Sequence, residues 1–253
     1  MKPVVSASYA RRHSKMASRL KTWMMAGALA FGAMSMGATT ATAQQATPKQ
    51  LTAAQVVDKM QSLYKSTNDF RASFSQTYTD VAAGDTKKSV GRVYFKNQGK
   101  MRWDYYKLDG EKPAKRAHKN LVSDGGVFWI YEREFNQVFK QCLTDSKLPT
   151  SLRFLMGQGD LNKEFDITLT QNSTADLPEL KLVPKVATSQ YKELRFIVDG
   201  ETFQVLKTTI YDPYGNTNEI VFKGVKLNTN LKDSDFEFKP PKSARLLNPQ
   251  KKC

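Results

Sequence analysis

The sequence predicts a mostly β protein of the α+β class, built on one long, strongly curved antiparallel sheet whose apolar face is covered by two helices. Three observations predict this. Apolar side chains at every second position recur in about a dozen short runs between residues 70 and 238. Turn-forming stretches such as Ala83-Gly84-Asp85, Asn97-Gln98-Gly99 and Asp124-Gly125-Gly126 separate the runs. Only two segments carry helical spacing, and strands do not alternate with helices, which argues against a parallel α/β sheet.

The first helix starts at Thr52, where Gln55 three residues on completes a capping-box pattern, and Val56, Val57, Met60, Leu63 and Tyr64 form one stripe to about Lys65. From Phe70 the period becomes two: Phe70, Ala72, Phe74, Gln76 and Tyr78 share one face, and Arg71, Ser73, Ser75 and Thr77 the other. Val90–Lys96 and Lys100–Tyr106 extend the meander, the latter with Met101, Trp103 and Tyr105 on one face. The basic segment Lys112 to Lys119 reads as a solvated loop. Lys119–Ser123, Val127–Glu132 and Gln137–Leu143 are the next strands, with Val127, Trp129 and Tyr131 on one face. Pro149 and Gly157 then frame a helix of about two turns with Leu148, Leu152, Leu155 and Met156 on one stripe. The remaining strands are expected at Phe165–Thr170, Glu179–Val183, Lys192–Val198, Phe203–Tyr211, Glu219–Leu227 and Asp235–Phe238. No repeat or low-complexity linker interrupts them, so residues 44–253 are read as a single domain with a frayed basic C-terminal tail.

The 253 residues include 39 Lys and Arg against 24 Asp and Glu. Six of those cations, and no acid, fall in the first 43 residues, followed by an uncharged stretch from Thr22 to Gly37 and the small-x-small pattern Ala41-Thr42-Ala43. Residues 1–43 are therefore expected to be a cleaved signal peptide, with Gln44 the mature N-terminus. The stretch is short of the roughly 20 strongly apolar residues that span a bilayer, and no cysteine near the cleavage point offers a lipid attachment site. Without the leader, 33 cations face 24 acids, a net charge of +9. For an exported chain this favours an anionic membrane surface or an acidic protein as partner, and no nucleic acid.

Chemistry is scarce. Cys142 and Cys253 are the only cysteines, too few for a disulfide framework, a CxxC redox site or a thiolate cluster, and a bridge between them is left open. His118 is the only histidine beyond the leader, and it lies in the basic segment without a nearby Ser, Cys or Asp motif. Nucleophile-elbow, zinc-protease, phosphate-loop and dinucleotide-binding patterns are all missing. No catalytic residue, metal site or cofactor is expected. What the sequence supplies in excess is aromatic side chains at alternating strand positions, and these alone fit either a close-packed core or a cavity for an apolar ligand.

The run Gly91-Arg92-Val93-Tyr94-Phe95-Lys96-Asn97-Gln98-Gly99-Lys100-Met101-Arg102-Trp103-Asp104-Tyr105, then Ser123-Asp124-Gly125 followed by Trp129 and Tyr131, resembles the periplasmic outer-membrane lipoprotein carriers of the LolA family. So do Phe154-Leu155-Met156-Gly157, the hairpin Asp212 to Phe222, and Asp235-Phe236-Glu237-Phe238-Lys239-Pro240-Pro241, in an order that covers Leu51 to Pro241. The resemblance implies an incomplete antiparallel β-barrel of about 11–12 strands with a helical lid around a hydrophobic cavity. The acyl-chain cavity would be lined by Phe95, Met101, Trp103, Trp129, Tyr131, Phe196 and Phe222, and Leu148, Leu152, Leu155 and Met156 would form the lid. It further implies a soluble periplasmic carrier that takes acylated lipoproteins from an inner-membrane lipoprotein-releasing ABC transporter and ferries them to an outer-membrane acceptor, without ATP of its own. A monomer is expected. An envelope-stress sensor or other lipid-binding relative on the same fold is the alternative. One departure stands out: where such carriers have an Arg-Pro pair whose arginine bonds the lid, this chain has Asn97 and Gln98. Asn97, Lys96 and Arg102 are the polar candidates for that coupling.

Overall fold

A computed structural model describes residues 51–109, 112–143, 154 and 159–247 of the chain. The expected signal peptide, Cys253 and the lid stripe Leu148, Leu152, Leu155 and Met156 lie outside the described residues.

Helix α1 (Ala53–Lys65) starts where its cap dictates: the Gln55 N–H donates to the Thr52 hydroxyl at 3.3 Å, and the Gln55 side chain accepts from the Thr52 N–H at 2.9 Å. Of the predicted stripe it buries Val56, Val57, Met60 and Tyr64, with Leu63 half-buried against the same core. There follow β1 (Asp69–Asp80), β2 (Asp85–Lys96), β3 (Lys100–Tyr106), the two-residue strands β4 (Leu108–Asp109) and β5 (Lys112–Pro113), then β6 (Lys119–Asp124), β7 (Val127–Glu132) and β8 (Gln137–Cys142). A short helix α2 (Leu161–Glu164) leads into β9 (Phe165–Leu169), β10 (Glu179–Pro184), β11 (Glu193–Val198), β12 (Val205–Tyr211) and β13 (Thr217–Leu227). A 3-10 turn (Asp233–Phe236) and β14 (Arg245–Leu247) complete the described chain.

Twelve strands form one open sheet in the order β14-β8-β7-β6-β3-β2-β1-β13-β12-β11-β10-β9, antiparallel throughout except where β14 runs parallel to β8. β4 and β5 pair only with each other. The inner face carries the main core. Phe70 and Phe74 of β1 stand opposite Phe95 and Gly91 of β2, and Phe95 and Val93 opposite Met101 and Trp103 of β3. α1 and Phe154 pack on the same core. At Gly91 a β-carbon would collide with the Phe74 ring, so glycine there lets the ring lie flat across β2.

Three expectations need correction. Asp235–Phe238 is not a strand: the Lys232 N–H donates to the Asp235 carboxylate at 2.9 Å, closing a 3-10 turn that presents Phe236 to the outer face of β3 and β6. The basic tail is not frayed at residues 245–247, because β14 satisfies the edge of β8, whose backbone groups would otherwise be unpaired. The basic segment after β3 is not wholly a loop, since it contains β5.

The C-terminal segment makes a second, outer core. Phe236, Val122, Val138, Tyr131 and Ala117 are all buried outside the main cluster. Lys96 and Lys100 both hold Asp233, at 2.6 and 2.9 Å, and their hydrogen bonds push its carboxyl down to about 2. Asn136 donates to the Ser243 carbonyl at 2.7 Å, and the Arg245 N–H to the Asn136 carbonyl at 2.9 Å. Cys142, at the end of β8, is disulfide-bonded.

Candidate functional site

Strand register assembles the inner face from side chains far apart in sequence. Phe95, Met101, Trp103, Phe196 and Phe222 are each between 1 and 4% exposed and belong to one cluster. Phe70 stacks on Phe95 with ring centroids 5.6 Å apart and meets Phe222 edge-on at 5.9 Å. Trp103 meets Phe74 and Phe95 edge-on at 4.9 and 5.8 Å. Such offset and edge-on pairs match the charge distribution of aromatic rings. Five of the seven cavity residues expected from the sequence are therefore brought together, with Phe70 and Phe74 joining them.

Trp129 and Tyr131 are not among them. The register row that places Trp103, Leu121, Ile130 and Phe139 side by side puts Trp129 and Tyr131 on the opposite surface, in line with Arg102, Asp104, Val122 and Asn120. Both rings pack on Phe238, at 5.9 and 5.8 Å, beneath the C-terminal segment. The placement differs because β7 is apolar on both surfaces, with Phe128 rather than Trp129 packed against the inner cluster. A strand covered from two sides gives no alternation from which to choose the inner one.

Of the segment expected to form a lid, Phe154 is the one described residue. Phe154 is helical and only 2% exposed, with its ring stacked on Phe196 at 5.9 Å and edge-on to Tyr64 at 5.1 Å. Tyr64 comes from α1, accepts a hydrogen bond from the Val205 N–H at 3.1 Å, and has its hydroxyl pushed up to about 12 by burial. Tyr105, also driven up to about 12 by burial, borders the same interior. Gln61 of α1 accepts from the Leu161 N–H at 2.9 Å, tying the helix to the start of α2. Phe154 and Tyr64 were not predicted as site residues. Tyr64 was legible as part of the α1 stripe, but nothing in its spacing says that it meets Phe154.

Among the described residues, two of the three polar candidates for lid coupling bond the C-terminal segment. Lys96 bonds the Leu231 carbonyl at 2.9 Å besides pairing with Asp233. Arg102 holds both Asp104 oxygens, at 3.0 and 2.9 Å, and donates to the Asp235 carbonyl at 3.2 Å. Both cations thus fasten the C-terminal segment. Asn97 is exposed at the β2–β3 turn, its backbone N–H donating to the Asn68 carbonyl at 3.1 Å. His118 has a buried Nδ1 without a partner among the described residues, and burial, followed by the charge of Lys107, lowers its pKa, favouring the neutral ring. Among the described residues, no three His, Cys, Asp or Glu side chains are grouped as metal ligands would be.

A family model described as outer membrane lipoprotein carrier protein LolA matches residues 65–239. The outer-membrane lipoprotein carrier protein of Methylobacillus flagellatus is 27% identical over 194 residues, 77% of this chain and 89% of the relative. That of Cupriavidus pinatubonensis is 28% identical over 199 residues, covering 77% and 88%. Among solved structures, an uncharacterized conserved protein from Thermus thermophilus superposes with a TM-score of 0.47 at 13% identity, over 77% of this chain and 98% of that one.

Proposed function

The chain belongs to the LolA family of outer membrane lipoprotein carriers, and we propose that it shelters the acyl chains of lipoproteins against its inner face while they cross the periplasm. The observation that carries this reading is Phe154. Part of the aromatic interior is completed by a side chain delivered from the segment expected to be a lid, and not by the sheet itself. What a separate segment fills, an acyl chain can fill in its place.

The energetics make such exchange useful. Each methylene kept from water is worth about 0.8 kcal/mol, so a chain of some sixteen carbons represents more than about 10 kcal/mol. Burial that deep without competition would trap the cargo. A plug that regains its own apolar contacts on release brings loaded and empty states closer in free energy, and a partner with different affinity for the two can then shift the balance. On this reading an inner-membrane ABC transporter loads the carrier and an outer-membrane acceptor empties it, and the chain acts by binding and not by catalysis.

The test is release of an acylated lipoprotein from inner-membrane vesicles that contain the transporter. Adding the chain from Gln44 onward with ATP should bring the lipoprotein into the soluble fraction as a one-to-one complex visible by native mass spectrometry. Lipoprotein left wholly in the pellet, with the transporter shown active toward another carrier, would overturn the proposal.

A further inference from the structure

The outer face of the sheet is electrically divided. On the side of β10 to β12, cations stand beside acids: Lys181 and Arg195 flank Glu193 at 3.4 and 2.6 Å, and Lys207 pairs with Glu219 at 2.8 Å. Around β1, β2 and the end of β13 the balance is different. One register row sets Lys226 beside Arg71 and Tyr94, and the next sets Lys223 beside Ser73, Arg92 and Asp104. Asp104 is the only acid in these rows, and it is buried and spent on Arg102 and Asn120. The two lysines share this face because Gly224, in the left-handed region at φ 61°, forms a bulge that resets the alternation of β13.

The segment after β5 adds to the same field. Lys115 and Lys223 line an open cleft of about 440 Å³ floored by Ser73, Ser75 and Tyr106. Arg116, Arg133 and Lys239 line a second, of about 450 Å³, that also reaches Tyr106. Arg71, Arg92, Lys115, Arg116, Lys223 and Lys226 are all exposed, and among the described residues none has a carboxylate partner. At the end of the sheet beside this band, two loops tied by the 2.9 Å Lys107–Glu134 pair present bare apolar side chains, Leu108 at 53% and Phe135 at 65% exposed.

We propose that this outer band, with the Leu108 and Phe135 tips, is a docking surface for an anionic phospholipid bilayer. Unpaired Lys and Arg attract lipid phosphates, and clefts of this size accept a phosphate-bearing headgroup. Exposed apolar tips among cations are the pattern of shallow interfacial insertion. The surface is on the opposite side of the sheet from the aromatic interior, so docking leaves that interior unobstructed by lipid. The inference does not rest on what the interior carries.

Sedimentation with cargo-free vesicles tests it, comparing phosphatidylcholine alone with an equimolar mixture of phosphatidylcholine and phosphatidylglycerol. The chain from Gln44 should bind the mixed vesicles only, and lose them as added salt shortens the screening length. Lys223→Gln with Lys226→Gln should weaken binding about 30-fold, at about fivefold per charge. Lys115→Gln with Arg116→Gln should do the same from a different segment. Lys181→Gln with Lys207→Gln changes net charge equally on the ion-paired side and should leave binding close to that of the parent. Equal weakening by all three pairs would reduce the effect to net charge and overturn the proposal. So would equal affinity for both vesicle types, or no vesicle binding together with capture of a purified acidic protein.

Discussion

Phe154→Ala separates a plug from an ordinary core residue. The ring is 2% exposed and lies against Phe196 and Tyr64, so its removal takes away a buried aromatic group and two ring contacts. Such truncations cost about 3–5 kcal/mol when the site cannot collapse. If an acyl chain enters the vacated space, about five methylenes can be buried there, returning about 4 kcal/mol. The empty variant should therefore unfold at a denaturant midpoint lowered by the full truncation cost. Its affinity for a fluorescent fatty acid should rise, by as much as about 10³-fold if the whole penalty is recovered. Saturating fatty acid should restore most of the lost stability. Chemical denaturation with and without the ligand, beside a direct titration, reads all three. A variant that is destabilised yet binds fatty acid no better than the parent would refute the reasoning and make Phe154 a fixed part of the core.

Two further outcomes follow from the packing and the charges. Gly91→Val places a branched side chain where the Phe74 ring lies, which should cost about 1–3 kcal/mol as overpacking and disturb Trp103, 4.9 Å from that ring, seen as a shifted tryptophan emission; an unchanged spectrum with unchanged stability would contradict the close approach. Asp69 is subject to burial, which raises its pKa, but the Thr229 N–H and hydroxyl at 2.7 and 2.8 Å and the Leu231 N–H at 3.2 Å outweigh it and lower the pKa below 3.8. Its stabilisation is thus present above the ordinary carboxylate pKa and lost as pH falls through the depressed folded value. Asp69→Asn should cost about 2 kcal/mol at neutral pH and flatten that acid limb; superimposable acid-unfolding curves would count against it.

The elements were most legible where one cause fixed them. Thr52 and Gln55 set the start of α1, and β3 and β7 run between the residues that the alternation named. β2 begins at Asp85, earlier than its apolar pattern, because Thr86, Lys87 and Lys88 pair with β1 while exposed on either surface and leave no hydrophobic trace. The site was half legible for a related reason. Alternation says that Trp129 and Tyr131 share a surface, but which surface is inner depends on where Phe236 and Phe238 return, and those lie about a hundred residues later along the chain. β14 is three residues long, too short to carry a period, and is held by pairing alone.

The order of strands has a mechanical corollary. No ladder joins β9 to β14 among the described residues, so the two borders of the sheet are free of each other. A closed cylinder has a circumference fixed by its hydrogen bonds, and widening it means breaking them. Here the borders can move apart with every strand ladder intact, and among the described residues the resistance to swelling comes from side chains that lose contact. On the proposed reading, acyl chains of different girth would then be admitted at a cost graded by their own bulk, without a threshold set by the backbone.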